Sequence, residues 1–204
     1  MQNVIISDNI IGELQHALSS CKHDVLFVLT DTNTEKLCLP VLAGISQMKS
    51  AKHIVIGASD VNKNIETIAK VWTELGAGGG TRHSLMINLG GGMVTDLGGF
   101  AASTFKRGIS FINIPTTLLA MVDASVGGKT GINFNGLKNE IGVFRSADHV
   151  ILDTEFIKTL DAENIRSGYA EMLKHGLIST VEHWSELINF DLENPDIATL
   201  RNMV

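Results

Sequence analysis

The sequence predicts an α/β protein with a parallel sheet, followed by a segment that is helical throughout. Short apolar runs of four or five residues, rich in Val, Ile, Leu and Phe, are typical of buried parallel strands. Longer amphipathic patterns lie between these runs, and strands that alternate with helices favour a layered α/β domain. After about Asp161 the apolar runs stop and only helical patterns continue.

The predicted elements follow one another in a regular order. The strands are Val25–Leu29, His53–Ile56, Leu85–Leu89, Phe111–Ile114 and Val150–Leu152. The helices between them are Ile10–Leu18, Glu35–Met48, Asn62–Leu75 and Val94–Phe105. The glycine-rich segment at 76–80 is predicted to be a loop within the domain, because the next strand follows at once.

The change to helix alone predicts a domain boundary near residue 162, which gives an α/β domain of residues 1–162 and a helical portion of residues 163–204. The helical portion contains predicted helices at Asn164–Ser179 and Val181–Phe190. A further helix is predicted to start at Asn194, with Pro195 as its first helical residue. The apolar spacing continues to Val204, so the chain is expected to end inside this helix and inside the helical domain.

Composition excludes several classes of protein. The 204 residues carry a formal net charge of −6 and are 44% hydrophobic, which favours a packed core and disfavours nucleic acid as a partner. No run of about 18 apolar residues is present, so no membrane partner is predicted, and the N-terminus lacks the basic start of a secretion signal. We therefore expect a cytoplasmic protein. Cys21 and Cys38 are interpreted as ordinary thiols.

A glycine-rich turn, Gly90-Gly91-Gly92, follows a predicted strand and precedes a predicted helix. An open α/β sheet binds a dinucleotide pyrophosphate at such a turn. The alternative is a tight turn without a ligand, since Thr95 occupies the third glycine position of the dinucleotide pattern. Asp96 is expected in the first turn of the helix, either to accept hydrogen bonds from a cofactor or to interact with the helix dipole. Thr116 and Thr117 follow the next strand. Their hydroxyl groups are expected either to face the ligand crevice of the sheet or to form hydrogen bonds within a turn.

A second group of polar residues comprises Asp123, Lys129, Lys138 and Asn139. Gly127-Gly128 separates the first carboxylate from the first lysine, and the apolar stretch before Asp123 predicts that part of the loop is buried. Charges near buried segments need a partner or a ligand, so this cluster is predicted to surround a polar ligand.

Glu171, Lys174 and His175 share one face of a predicted helix. A carboxylate and an imidazole four residues apart can bind one metal ion, although a solvated helix face is the commoner explanation for this spacing.

These segments resemble the 3-dehydroquinate synthase family. The similarity rests on GGGMVTDLGGFAAS, TFKRGISFINIPTTLLAMVDASVGGKTGIN, LKNEIG and GYAEMLKHGLI, and it is dense from about Leu89 to Ile178. The resemblance implies a Rossmann-like NAD-binding domain followed by an all-helical domain. It also implies conversion of the sugar acid phosphate DAHP to 3-dehydroquinate and phosphate, NAD and one divalent metal (zinc or cobalt) as cofactors, and a homodimer.

The resemblance also implies roles for individual residues. NAD would contact Asp31, Asn33, Asp60, Lys63, Gly91, Gly92, Asp96, Thr116 and Thr117, although the family more often has Glu at the position of Asp60. The substrate and nicotinamide region would be lined by Arg107, Asp123, Lys129, Lys138, Asn139 and Lys174. Glu171 would be a metal ligand, whereas His175 matches no ligand of the family and is set aside.

Three other hypotheses remain open at this stage. A related sugar phosphate cyclase would act on another sugar phosphate. An iron-type alcohol dehydrogenase shares the glycine turn, although VDASVGGKTGIN argues against it. A non-catalytic NAD-binding module is the third, and with the chain expected to end early, the 204 residues are expected to be inactive alone.

Overall fold

The structure is a computed structural model that describes residues 3–192 and 195–203. Its centre is a six-stranded sheet with the order β1-β8-β5-β4-β2-β3, in which every pairing is parallel. The strands of this sheet are β1 (Asn3–Ser7), β2 (Leu26–Asp31), β3 (Lys52–Ile56), β4 (Leu85–Gly90), β5 (Ser110–Pro115) and β8 (His149–Asp153). The predicted α/β class with a parallel sheet is confirmed, and the five predicted strands are all present within two residues at each end.

Seven α-helices accompany the sheet in the described residues. They are α1 (Ile10–Ser20), α2 (Thr34–Leu37), α3 (Ile65–Ala77), α4 (Gly92–Thr104), α5 (Ala162–Ile178), α6 (Val181–Ile188) and α7 (Ile197–Met203). Side chains cap several N-termini: Asn9, Asn64 and Asp161 each accept a hydrogen bond from a backbone N–H three residues further on. Such caps satisfy donors that the first helical turn leaves unpaired.

The predicted helix Glu35–Met48 was wrong. The chain forms the single turn α2 and then two short 3₁₀ segments, Leu39–Leu42 and Ser46–Ser50. Pro40 explains the break, because proline has no N–H to donate and its ring clashes with the carbonyl of the preceding turn. The apolar spacing that suggested a helix still buries Leu42 and Ile45 fully.

The prediction missed an antiparallel hairpin of β6 (Lys129–Phe134) and β7 (Leu137–Phe144). The segment was interpreted as a ligand-binding loop because of its glycines and charges. Asn135 and Gly136 form the turn with φ of 50° and 78°, and Asn-Gly between strands is a strong hairpin signal that the sequence does contain. The edge strand β1 was also missed; its burial is low, with Ile6 55% exposed.

The last helix begins later than predicted. The predicted cap Asn194 and the terminal Val204 lie outside the described residues. Within them, α7 starts at Ile197, and the carboxylate of Asp196 accepts from the backbone N–H of Thr199 at 2.9 Å. Leu200 is fully buried as its spacing predicted.

The domain boundary near residue 162 stays a prediction. No helix in the described ranges is both long and apolar enough to cross a membrane.

Helix α4 lies between the main sheet and the hairpin, and glycines form both contacts. A Cβ on Gly98 would collide with the side chain of Asn88 on β4, and one on Gly99 would lie 2.5 Å from Cγ2 of Thr130 on β6. The helix backbone therefore approaches both sheets more closely than any side chain would allow.

We expect Gly98→Ala to lower the free energy of unfolding by about 1–3 kcal/mol, because the added methyl group overpacks the contact between α4 and β4. Gly76→Ala in α3 is the matched control, since a Cβ there has nothing within 4 Å and alanine stabilises a helix by up to about 1 kcal/mol over glycine. Urea unfolding of both variants measures the difference. Equal stability of the two variants would contradict the close packing of α4.

Candidate functional site

A cleft of about 790 Å³ opens where the parallel strands end. The carboxyl ends of β2, β4 and β5 meet there, at the position where open α/β sheets bind ligands. Seven of the residues predicted to contact a cofactor line this first cleft: Asp31, Asn33, Asp60, Gly91, Gly92, Thr116 and Thr117. The structure therefore brings together residues that are up to 86 positions apart in the sequence, from Asp31 to Thr117.

The glycine turn presents the N-terminus of α4 to the first cleft. Gly91 is the N-cap, and its carbonyl accepts from the backbone N–H groups of Val94 and Thr95 at 3.0 and 3.1 Å. A Cβ on Gly91 would lie 2.9 Å from Cγ2 of Thr117, so the turn has no room for a side chain. Helix N-termini of this kind favour anions such as phosphate.

The neighbouring loops are held by local hydrogen bonds. The carboxylate of Asp31 accepts from the backbone N–H groups of Asn33 and Thr34 at 2.8 and 2.9 Å, which fixes the start of α2. The backbone N–H of Thr116 donates to the carbonyl of Gly90 at 3.0 Å. The two strand ends on either side of the glycine turn are thereby fixed relative to each other.

Some residues of the first cleft were not predicted. Cys38, Thr159 and Asn164 line it beside the predicted residues. Thr159 ends the segment Thr154–Thr159, which directly follows β8. Because all parallel strands end at the same edge of the sheet, the residues after the predicted strand Val150–Leu152 were candidates on that signal alone.

A second cleft of about 500 Å³ lies between α4 and the hairpin. Three residues of the predicted polar group line it, namely Asp123, Lys129 and Asn139, together with Asp96 from α4. Asp123 is exposed at the end of a single π-helical turn, Ala120–Ala124, although the residues before it are mostly buried. Isolated π-helical turns often occur at functional sites.

A buried ion pair lies at the wall of the second cleft. Nζ of Lys63 is 2.5 Å from Oδ2 of Asp96 and also donates to the side-chain carbonyl of Asn139. Burial raises the pKa of Asp96, and the positive charge of Lys63 opposes that rise. Asp96 lies in the second turn of α4 and not in the first as predicted, so its main partner is Lys63 and not the helix dipole.

Two further lysines pair with carboxylates. Nζ of Lys138 lies 3.4 Å from Oδ2 of Asp60, and Nζ of Lys174 lies 2.6 Å from Oε1 of Glu171. The hydrogen bond from Lys174 is the main cause that lowers the pKa of Glu171. Neither lysine lines the second cleft, although both were predicted in that region.

Asp123, Glu171 and His175 form a cluster of metal-ligand types. One ligand atom from each lies within 4.8 Å of the others, and Nε2 of His175 is 3.4 Å from Oε1 of Glu171. The spacing on α5 had suggested that Glu171 and His175 can share a metal, and the resemblance then set His175 aside. The structure places the imidazole in the cluster with both carboxylates.

Arg107 is not brought to either cleft. It follows the C-terminal end of α4, in the segment Phe105–Arg107. Helix α4 spans Gly92–Thr104, so at 1.5 Å per helical residue its two ends are roughly 18 Å apart, and Arg107 follows the end that is remote from the glycine turn. Its expected place in the substrate region is therefore not formed by the described part of this chain.

The sheet, the glycine turn and the two clefts beside α4 define a Rossmann-like α/β protein. Residues 53–167 match the family described as 3-dehydroquinate synthase N-terminal. The chain belongs to the 3-dehydroquinate synthase family.

Individual relatives agree with this assignment. The 3-dehydroquinate synthase of Parabacteroides distasonis is 52% identical over 203 residues, which cover 100% of this chain and 58% of the relative. The chain spans about half the length of the curated relatives it matches.

Solved structures are also similar. The 2-epi-5-epi-valiolone synthase ValA from Streptomyces hygroscopicus, with NAD⁺ and Zn²⁺ bound, has a TM-score of 0.86 and 30% identity, covering 100% of this chain and 59% of that one. A 2-deoxy-scyllo-inosose synthase complexed with carbaglucose-6-phosphate, NAD⁺ and Co²⁺ has a TM-score of 0.83. At 20% identity, over 98% of this chain and 57% of that one, it shows the fold alone.

The raised pKa of Asp96 gives stability a defined dependence on pH. Neutral Asp96 contributes stability in full below its unfolded pKa of about 3.9, and this contribution is lost as the pH rises through the raised folded value. We expect the free energy of unfolding of Asp96→Asn minus that of wild type to be greater at pH 7 than at pH 4. Urea unfolding at both pH values measures it.

Glu74→Gln on the exposed face of α3 is the control for loss of one surface carboxylate. The free energy of unfolding of Asp96→Asn minus that of wild type could instead stay constant or fall from pH 4 to pH 7. That result would show that burial does not dominate the pKa of Asp96.

Proposed function

We propose that this chain forms the NAD-binding part, and one side of the metal and substrate site, of an enzyme that converts DAHP to 3-dehydroquinate and phosphate. The observation that carries the proposal is the glycine turn at the first cleft, in a chain of the 3-dehydroquinate synthase family. We also propose the domain division near residue 162, with α5–α7 as the helical portion.

The first cleft fits a dinucleotide. The turn at Gly91 carries no side chain, so the backbone N–H groups at the start of α4 can approach a bound pyrophosphate directly. Thr116 and Thr117 offer hydroxyl groups beside the turn, and Asp31 with Asn33 lies on the adjoining strand end for the adenosine ribose. When bound, NAD supplies reversible hydride acceptance, so that the net reaction is not a redox change.

The cluster of Asp123, Glu171 and His175 fits a divalent metal. Carboxylate oxygen and imidazole nitrogen are ligand types that zinc and cobalt accept. We assign Glu171 as a ligand, supported by its proximity to His175 and Asp123. A metal bound there supplies Lewis-acid polarisation of a substrate hydroxyl.

The remaining polar residues are proposed to bind the substrate. Lys129 and Asn139 line the second cleft and can donate hydrogen bonds to anionic oxygens of a sugar acid phosphate. Lys174, held by Glu171, adds a cation beside the metal cluster. The exposed carboxylate of Asp123, at the second cleft, is proposed to hold the positive charges of Lys129 and Lys174 in position.

We further propose a cytoplasmic homodimer. Support comes from the hairpin, where all eight residues of β7 are exposed and Phe144 is 87% exposed. Apolar side chains on an open strand edge favour a protein partner.

A related sugar phosphate cyclase is the second candidate, because ValA shares the fold at 30% identity. Release of phosphate from DAHP, compared with release from other sugar phosphates and measured with the protein that carries this chain, tests the choice. With NAD and Zn²⁺ present, we expect DAHP to be the best substrate. Faster turnover of another sugar phosphate would favour the second candidate, and net NADH production would favour an alcohol dehydrogenase.

Gly92→Val should abolish NAD binding, because a branched side chain would occupy the N-terminus of α4 where the pyrophosphate must approach. Gly44→Val is the matched control, since a Cβ at Gly44 meets nothing within 4 Å. Calorimetric titration with NAD measures both affinities. Wild-type affinity in a folded Gly92→Val protein would refute the position of the cofactor.

Glu171→Gln should weaken Zn²⁺ binding by at least about tenfold, or 1.4 kcal/mol, because it removes a charged ligand. Glu163→Gln is the control, since Glu163 lies at the start of the same helix and outside the cluster. Competition with a chromophoric chelator measures the affinity. Equal Zn²⁺ affinity of the two variants would exclude Glu171 as a ligand.

A further inference from the structure

The turn that contains Asp60 and Lys63 is attached directly to the β6–β7 hairpin. The backbone N–H of Asn133 donates to the carbonyl of Lys63 at 2.7 Å, and its side-chain amide donates to Oδ2 of Asp60 at 3.1 Å. Lys138 pairs with the same carboxylate. The turn after β3 therefore holds both strands of a hairpin that lies about 70 residues further along the chain.

Lys63 is the buried part of this attachment. Its side chain is only 6% exposed, and its ammonium group donates both to Asp96 on α4 and to the side chain of Asn139 on β7. A buried ammonium group requires such partners, because losing water costs several kcal/mol. Both of its partners, Asp96 and Asn139, line the second cleft, so Lys63 lies directly behind the wall of that cleft.

The hairpin depends on attachments of this kind. It forms a two-stranded sheet separate from the main sheet, and an isolated two-stranded hairpin is marginally stable in water. Asn139 has a left-handed backbone with φ of 54° inside strand β7, which departs from the regular extended conformation of a strand. Two contacts hold Asn139. Its backbone N–H donates to the side chain of Asn133 at 3.0 Å, and its side-chain oxygen accepts from Lys63.

We propose that Lys63 is a positioning residue that fixes Asn139 and the hairpin against α4 and thereby sets the width of the second cleft. This role is separate from the expected contact of Lys63 with NAD, which stays a prediction. It does not depend on the identity of the substrate, because the contacts that support it lie within the chain.

Hydrogen exchange of the β6–β7 amides tests the proposal. We expect Lys63→Met to accelerate exchange in the hairpin, for example at Ile132 and Ile141, by about tenfold or more, while amides in β4 keep their protection. Lys70→Met is the matched control, because Lys70 is exposed on α3 and donates only to the carbonyl of Val55 among the contacts described.

A second variant separates positioning from general destabilisation. Asn139→Gly removes the side chain that Lys63 holds, tolerates the backbone φ of 54° and keeps the pair of Lys63 with Asp96. It should accelerate the same hairpin amides. The double variant should exchange no faster than the faster single variant, because both changes break one attachment. Lys63→Arg keeps a cation with N–H donors and should protect the hairpin better than Lys63→Met does, but less than wild type, because the larger guanidinium enters a site that is only 6% exposed.

Several outcomes would overturn the assignment. Hairpin exchange within about twofold of wild type in both single variants would show that Lys63 does not hold Asn139. Additive effects in the double variant would show that the two residues act separately. Loss of NAD affinity in Lys63→Met, with hairpin exchange at the wild-type rate, would place Lys63 at the cofactor.

Discussion

The close approach of helix α4 to two sheets is the constraint on which the rest of the structure depends. Gly98 packs against Asn88 and Leu29 of the main sheet, and Gly99 packs against Thr130 of the hairpin. Because no side chain separates these layers, the helix has little freedom to shift along either sheet. Its N-terminus is thereby fixed at the first cleft.

The same helix sets the polar wall of the second cleft. Asp96 lies one turn beyond Gly92 and pairs with Lys63, whose other partner belongs to the hairpin. Breaking such a buried pair by removing one partner is costly, because the remaining charge keeps its desolvation penalty. The position of the hairpin, and of Lys129 and Asn139 upon it, therefore follows from where α4 is placed.

The sequence was sufficient for five of the six strands of the main sheet and for the polar residues at the strand ends that line the first cleft. Parallel strands are buried on both faces, so their apolar runs are readable, and their carboxyl ends meet at one edge. The sequence was insufficient where a proline or a turn signal overrode the spacing of apolar and charged residues. Pro40 broke a helix whose apolar spacing was correct, and the hairpin was missed because its glycines and charges were interpreted as ligand-binding features, although Asn135-Gly136 was a turn signal.

Long-range pairings could not be predicted from local patterns. Lys63 and Asn139 are 76 positions apart, and nothing in either segment specifies the other. The spacing of Glu171 and His175 was informative, because both lie on one face of α5, but the third member of their cluster, Asp123, is contributed by a separate turn. The resemblance predicts a contact of Lys63 with NAD, but it did not indicate the contacts of Lys63 with Asp96 and Asn139.

A crystal structure of this protein with NAD and Zn²⁺ bound tests the central claim most directly. The claim is that α4 separates a dinucleotide cleft from a metal and substrate cleft. We expect the pyrophosphate to accept hydrogen bonds of about 3 Å from backbone N–H groups at the start of α4, and the zinc to contact Glu171. A pyrophosphate bound away from the glycine turn, or a zinc ion remote from α5, would contradict this account.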